Sequence, residues 1–283
     1  MNYITKAFNK KLAYLEQAAE PHELANHYRV KIEYGLIVLL GYLWNKNYSR
    51  LQPEAMEVVA GRLLQPTLGA LLEITRTLDI DSEVFGIKEL SKAINKYPQL
   101  RNEKIGHGYV FQDGLEDLIA ALSGLASTIF TAPDSLLSVD CDLILVQKEV
   151  NSIYSGINFA SDGDNYHVWR CPKALREFEI GSTYCHVNGQ YHKLSPFIEI
   201  DDKQQFFVFR DVHDRLTGKV RYNQLLQTGT KSREWPTFVS SVPDGDTRLR
   251  TPNGTVVNMF RPNYRKYASS AESVGRIRFW QAA

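Results

Sequence analysis

The stretch Thr131-Ala132-Pro133-Asp134 separates two parts of the sequence that have different residue patterns. Before it, apolar residues recur at helical spacing and β-branched runs are scarce, which predicts amphipathic helices. After it, short alternating or β-branched segments end at turn-forming residues, which is typical of strands. The sequence therefore predicts an α+β protein, with an all-helical bundle over residues 1–133 followed by a separate β-rich domain over residues 134–283.

Five or six helices are predicted before this stretch. Helix starts are expected at Pro21 and Pro53, because a residue in the first turn needs no N–H for the helical hydrogen bonds. The helix from residue 21 should extend to about residue 45, and Pro66 should break or kink the one from residue 53 before its pattern resumes at Leu68. The other predicted elements are helices over residues 3–19, 87–96 and 114–130 and a turn over residues 79–82.

Short strands and tight turns are predicted after the stretch. Asn188-Gly189 and Asp162-Gly163 indicate hairpin turns because these residue pairs adopt positive φ angles readily. Residues 214–218 could close a longer hairpin. Four prolines at positions 236, 243, 252 and 262 predict an irregular tail from about Thr228. The predicted strands cover residues 143–150, 166–170, 183–187, 198–200, 206–210 and 219–222.

Composition limits the classes of function. A chain of 283 residues favours two domains, and a formal net charge of +1 gives no global argument for a nucleic-acid or membrane partner. Three cysteines make a disulfide framework improbable and fit a reducing compartment. The start lacks the pattern of a signal peptide, and the longest apolar run, residues 36–44, is too short to span a bilayer. We therefore expect a soluble, cytoplasmic protein without a membrane partner.

The segment Arg101-Asn102-Glu103-Lys104-Ile105-Gly106-His107 carries the strongest chemistry in the sequence. An arginine can hold a phosphate through two hydrogen bonds, and a histidine can accept or donate a proton near neutral pH. Together these groups suffice to cleave an RNA backbone through its own 2′-hydroxyl without a metal or other cofactor. Glycines at positions 106 and 108 let the backbone leave helical geometry beside His107, so the two side chains could converge.

This segment resembles the motif of the HEPN superfamily, in which a helical bundle carries an arginine, often a polar residue after it, and a histidine a few residues later. Arg101, Asn102 and His107 match that pattern. Residues 64–69, Leu-Gln-Pro-Thr-Leu-Gly, are similar to a stretch of HEPN-like N-terminal regions in bacterial STAND-type NTPases and defence-type kinases. Residues 194–198, Leu-Ser-Pro-Phe-Ile, resemble a segment of the β-rich region that often follows them.

The resemblance implies a metal-independent endoribonuclease, a toxin or antiviral effector, that works as a homodimer with two motifs facing one cleft. Arg101 would then stabilise the phosphate, His107 would act as general acid or base, and Asn102 would orient the substrate or the histidine. Lys104 and Tyr109 are additional candidates for contacting RNA. Other members of the superfamily have lost catalysis and serve as sensing or docking modules, here with a protein partner on the β-rich domain.

A basic stretch near the C terminus is a second candidate for RNA contact. Residues 248–267 contain five basic residues and no acidic one, and aromatic residues are interleaved among them. This pattern suits contact with the backbone and bases of a single strand, although such stretches are more often solvated surface. The residues expected to bind there are Arg261, Arg265 and Lys266.

Less specific interpretations also fit these residues. His107 could cap a helix end, and Arg101 could pair with Glu103 or Glu116 on the bundle surface. Cys171, Cys185, His186 and His192 lack the paired Cys-x-x-Cys spacing of a zinc site, which favours core or surface roles and no metal site. No Walker motif or dinucleotide fingerprint occurs in the sequence. A structural scaffold with a chance resemblance is the third hypothesis, after the nuclease and the binding module.

Overall fold

A computed structural model describes residues 3–64, 66–104, 114–131, 142–159, 167–200, 206–214, 219–227 and 236–241. Its helices all precede residue 132, and its strands, which form antiparallel sheets, all follow residue 141. The expected α+β class is confirmed at this level. The proposed boundary between residues 133 and 134 falls outside the described residues and stays a prediction.

The described N-terminal part contains six α-helices and one short 3₁₀ turn, Tyr48–Arg50. Proline lies at the start of the second and third helices, as predicted. Thr67 caps the fourth helix by accepting a hydrogen bond from the backbone N–H of Ala70 at 3.2 Å. The helices are α1 (Tyr3–Ala18), α2 (Pro21–Asn47), α3 (Pro53–Arg62), α4 (Leu68–Leu78), α5 (Lys88–Lys104) and α6 (Leu115–Thr131).

Helix α5 is longer than predicted, because it continues through Pro98 to Lys104 instead of ending near residue 96. Proline removes one helical hydrogen bond, so the interior of a helix is an unfavourable position for Pro98. The buried residues Leu90, Ile94 and Tyr97 follow one another at helical spacing, however, and join the core of the bundle. Packing of this stripe holds the helix together where local propensity alone predicts a stop.

Nine strands form two antiparallel sheets in the described part. The first sheet has the order β3-β2-β1-β4-β5 and the second the order β6-β7-β8-β9. The predicted Asn188-Gly189 turn joins β4 to β5, and both of its residues have positive φ. The strands are β1 (Asp142–Val150), β2 (Ile153–Phe159), β3 (His167–Pro172), β4 (Thr183–Val187), β5 (Gln190–Lys193), β6 (Ile198–Ile200), β7 (Phe206–Asp214), β8 (Lys219–Gln227) and β9 (Pro236–Ser241).

Three strands differ from the prediction. Strands β2 and β5 were not expected, and β9 lies in the stretch that the prolines predicted to be irregular. Pro236 is the first residue of β9, which lies at the edge of its sheet, and a missing N–H is tolerated at such a position. β7 and β8 pair as the predicted longer hairpin requires, while its closing residues 215–218 and the predicted turn at residues 161–164 lie outside the described ranges.

Helix α2 joins the helical bundle to the sheets. Its side chains belong to a continuous apolar core that also includes residues of α6, β1 and β7. Trp44 packs against Phe197, just before β6, with ring centroids 5.5 Å apart. The side-chain amide of Asn45 donates to the carbonyl oxygens of Lys193 (3.1 Å) and Ser195 (2.9 Å). The α2–sheet contact is therefore both apolar and hydrogen-bonded.

None of the helices that the structure describes combines the length and the apolar character that a bilayer span needs. The apolar residues 36–44, singled out in the sequence, lie inside α2, where most of them are buried against other parts of the protein.

Candidate functional site

The motif predicted from the sequence begins at the C-terminal end of α5. Arg101, Asn102 and Lys104 belong to the last turn of this helix, and nothing of their side chains is described. His107 and Tyr109 lie outside the described residues, as do Arg261, Arg265 and Lys266 of the basic stretch. Whether these residues come together in one site stays a prediction.

The turn of α5 that precedes Arg101 is anchored in the bundle. Tyr97 is fully buried, and its hydroxyl donates a long hydrogen bond (3.5 Å) to the Glu33 carboxylate of α2. Leu90, near the start of α5, and Leu39 of α2 line one cleft. The start of α5 therefore lies near a later part of α2 than Tyr97 does. The two helices therefore run in opposite directions across the bundle. Arg101 follows Tyr97 by about one helical turn, roughly 6 Å along the axis of α5.

A cleft opens beside Glu33 and its neighbours on α2, where the helical bundle meets the second sheet. It has a volume of about 310 Å³, and we call it the junction cleft. It extends from α2 across the start of α4 to β7 and β8. Its described lining consists of Arg29, Val30, Glu33, Tyr34, Ile37, Pro66, Thr67, Leu68, Leu71, Val208, Phe209, Arg210 and Asn223.

Two arginines and one carboxylate are the charged groups among these lining residues. Arg29 pairs with Glu33 one turn further along α2 at 3.2 Å and also donates to Asn26, and its side chain remains 29% exposed. The Arg210 side chain is 44% exposed and lies 3.7 Å from Asp211. Asp211 itself receives two short hydrogen bonds from Arg221, at 2.6 and 2.7 Å. The described lining thus carries an excess of positive charge.

A second cleft lies between α2, the start of α5 and the β4–β5 hairpin. It has a volume of about 450 Å³, and we call it the hairpin cleft. Tyr42 donates to the Glu83 carboxylate at 2.7 Å, and Lys46 forms an ion pair with the same group. The His192 ring stands edge-on to the Tyr42 ring at 5.0 Å. Burial, with help from the nearby charges of Arg176 and Lys46, lowers the pKa of His192, so its imidazole is neutral at neutral pH.

Three other buried titratable groups lie in or near the core. Burial is the main cause that lowers the pKa of His27 to about 4 and that of Lys31 to about 8. His27 faces the Phe8 carbonyl oxygen and Lys31 donates to Asn9, so both hold α1 against α2. Burial raises the pKa of Glu199 to about 8; although the residue is only partly buried, its carboxyl is enclosed and accepts a hydrogen bond from Ser195.

The four cysteine and histidine residues considered as a zinc site do not form one cluster, although Cys185 of β4 and His192 of β5 are cross-strand partners. Cys171 and Cys185 form no disulfide and lie in different apolar clusters. His186 stacks on Tyr191, while His192 faces Tyr42. Within the described ranges, no group of three or more histidine, cysteine or acidic residues is arranged to hold a metal ion.

Sequence reasoning did not identify either cleft. Arg29 and Arg210 are 181 positions apart, and each looks like an ordinary surface residue of its own helix or strand. The segments 64–69 and 194–198, noted for their resemblance, both lie at the junction. Pro66, Thr67 and Leu68 line the junction cleft, and Phe197 packs on α2.

Comparison with models of protein families, with curated proteins and with solved structures gives no match to this chain. The HEPN resemblance therefore rests on the motif at residues 101–107, on the segments 64–69 and 194–198, and on the helices before and after the motif.

Proposed function

We propose that the protein is a metal-independent endoribonuclease of the HEPN type, acting as a toxin or antiviral effector. The observation that carries this proposal is the position of Arg101 and Asn102 in the last turn of α5, a helix anchored within a bundle. A helical bundle is the setting that the motif requires in the family it resembles.

The proposed reaction uses the two charged groups of the motif. His107 removes the proton of an RNA 2′-hydroxyl, whose oxygen then attacks the adjacent phosphorus. The bond from phosphorus to the 5′-oxygen breaks, and that oxygen takes a proton from the imidazolium. Arg101 stabilises the additional negative charge on the phosphoryl oxygens, and Asn102 orients the substrate or the imidazole. The products carry a 2′,3′-cyclic phosphate and a 5′-hydroxyl.

The basic lining of the junction cleft supports this proposal. Glu33, which accepts the hydrogen bond from Tyr97 of α5, lines the cleft. Arg29 lies about one turn before Glu33 on α2. Positive charge in this cleft favours the approach of a polyanion such as RNA. Lys104, Tyr109, Arg261, Arg265 and Lys266 are the proposed additional contacts, and a homodimer would place two motifs at one cleft.

The test is the rate of RNA cleavage by the purified full chain in excess chelator. We expect wild-type protein to cut RNA, and Arg101→Ala and His107→Ala to be at least about a hundredfold slower. Arg170→Ala and His22→Ala are matched controls, since both side chains are exposed and belong to β3 and α2 rather than to the motif. The controls should cleave at the wild-type rate.

Equal cleavage by all five proteins would show contamination and would contradict the proposal. So would the absence of cleavage by wild-type protein that has an intact helical circular-dichroism spectrum and has been tested as a dimer. Light scattering after size exclusion gives the oligomeric state of each preparation.

The clefts favour a second candidate function, that of a non-catalytic sensing module. Both clefts lie between the bundle and a sheet, so a bound ligand would touch both parts of the chain. A module of this kind would bind its protein or nucleic-acid trigger without cleaving RNA. Binding that is unaffected by His107→Ala, together with no cleavage, would distinguish it from the nuclease.

A further inference from the structure

We propose that the junction cleft binds a small organic anion, a molecule of about the size of a nucleoside monophosphate whose phosphate or carboxylate group is held by Arg29 and Arg210. This goes beyond RNA cleavage and does not depend on it, because the binding residues belong to α2 and β7 and lie outside the motif.

The charged groups of the lining indicate that the ligand carries a negative charge. Arg29 approaches from α2 and Arg210 from β7, so two guanidinium groups border one cleft from opposite parts of the fold. Arg29 donates to Asn26 and Glu33, and Arg210 lies 3.7 Å from Asp211, while the two side chains remain 29% and 44% exposed. Guanidinium groups bind phosphates and carboxylates through paired hydrogen bonds, and among the described lining residues there are two of them and one carboxylate, that of Glu33.

The remaining lining gives the size and character of the ligand. A volume of about 310 Å³ is at the lower end of the range for small-molecule sites. Apolar side chains of Val30, Ile37 and Leu71 contribute to the lining from α2 and α4, and Asn223 of β8 adds an amide that can both donate and accept. A ligand with an anionic end and a partly apolar body therefore fits better than a bare inorganic ion.

A backbone hydrogen bond connects two of the parts of the chain that border the cleft. The backbone N–H of Val212 in β7 donates to the Leu63 carbonyl oxygen at the end of α3 at 3.1 Å, near the start of α4. This hydrogen bond joins β7 to the chain that leads into α4, and both elements contribute to the cleft. Arg210, two residues before Val212 in β7, is thus held near the start of α4 by a backbone contact.

The test is calorimetric titration of the full chain with three probes: adenosine monophosphate, citrate and adenosine. We expect wild-type protein to bind the monophosphate or citrate, and Arg29→Gln and Arg210→Gln each to weaken that binding about tenfold. Arg170→Gln, which removes an exposed arginine of β3, should bind like wild type. Adenosine, which lacks the anionic group, should bind at least about tenfold more weakly than the monophosphate.

The two anionic probes separate the source of the charge, since preference for the monophosphate identifies a phosphate ligand and preference for citrate a carboxylate. Binding must persist in Arg101→Ala, which separates the cleft from the ribonuclease motif. The proposal is overturned if neither anion binds, if both cleft variants bind like wild type, or if adenosine binds as well as its monophosphate. Circular dichroism of each variant confirms that the fold is retained.

Discussion

His27 connects the first two helices and has its protonation suppressed by the fold. Its Nε2 lies 3.2 Å from the Phe8 carbonyl oxygen, and its ring is tilted against that of Phe8. Burial is the main cause of its lowered pKa, and the positive charges of Lys11 and Lys31 act in the same direction. None of the groups that shift the pKa of His27 is acidic. Little therefore compensates for the positive charge of a protonated imidazole at this position.

The pH dependence of stability follows from this pKa. His27 titrates near 6.5 in the unfolded chain and near 4 in the folded one, so the unfolded chain binds more protons between these values. The free energy of unfolding should therefore fall by about 3 kcal/mol as the pH drops from about 7 to about 4, and level off below that. Urea unfolding at several pH values measures this contribution as the difference between wild type and His27→Gln.

Glutamine is the matched replacement because its amide can still donate to the Phe8 carbonyl oxygen but does not titrate. Other groups of the protein titrate in both proteins and cancel in the comparison. If the two proteins lose stability equally over this interval, His27 does not have the assigned pKa.

Two glycines, one in a strand and one in a helix, occupy contrasting positions. Gly156 of β2 pairs with Val146 of β1 beside a register irregularity, and a Cβ there would lie 1.9 Å from the Leu145 carbonyl oxygen. Gly124 of α6 is exposed, and a Cβ there would meet nothing within 4 Å. The first glycine is required by a close backbone approach, whereas the second is not.

Alanine substitutions at these two positions should have opposite effects. Gly156→Ala should lower the free energy of unfolding by about 2 kcal/mol or more, because the backbone of β1 must move. Gly124→Ala should raise it by up to about 1 kcal/mol, since alanine favours the helix. Chemical denaturation measures both, and a neutral Gly156→Ala would show that β1 and β2 do not approach each other as closely as described.

The elements were predictable to the extent that local residues determine them. Prolines at 21 and 53 gave two helix starts, and Asn188-Gly189 gave a hairpin turn, because each acts through its own backbone angles. The end of α5 was not predictable, since burial of Tyr97 by the bundle outweighs the local effect of Pro98. The edge strand β9 was missed for a similar reason, because pairing with β8 is a long-range property.

Substitution of Phe197 tests whether the bundle and the sheets unfold as one unit around a shared core. Its side chain is fully buried and touches Trp44 of α2 and Phe209 of β7. Phe197→Ala should lower the free energy of unfolding by about 4 kcal/mol. Hydrogen exchange should show protection falling together in α2 and in β7, because the lost packing belongs to both.

Ile198→Val is the mild control for this measurement, since it removes a single methylene from the adjacent buried residue. A loss of protection confined to β6 and β7 after Phe197→Ala would instead show that the bundle and the sheets unfold as separate units.

The motif and the junction cleft differ in how much of each can be predicted from the sequence. Arg101, Asn102 and His107 form a local motif, so their chemistry can be proposed from the sequence alone. Arg29 and Arg210 line one cleft only because β7 packs beside α2 and the start of α4, and no local pattern in either segment predicts that arrangement. Clefts built from distant elements require the tertiary structure.

The chemistry of the RNA ends tests the proposed function most directly. Attack by the neighbouring 2′-hydroxyl, with His107 moving the proton, leaves a 2′,3′-cyclic phosphate, whereas attack by water does not. Mass spectrometry of RNA digested in excess chelator should show 2′,3′-cyclic ends with wild-type protein and none above background with His107→Ala. Ends that carry a 3′-hydroxyl, or cyclic ends in equal amounts from both proteins, would contradict the proposal.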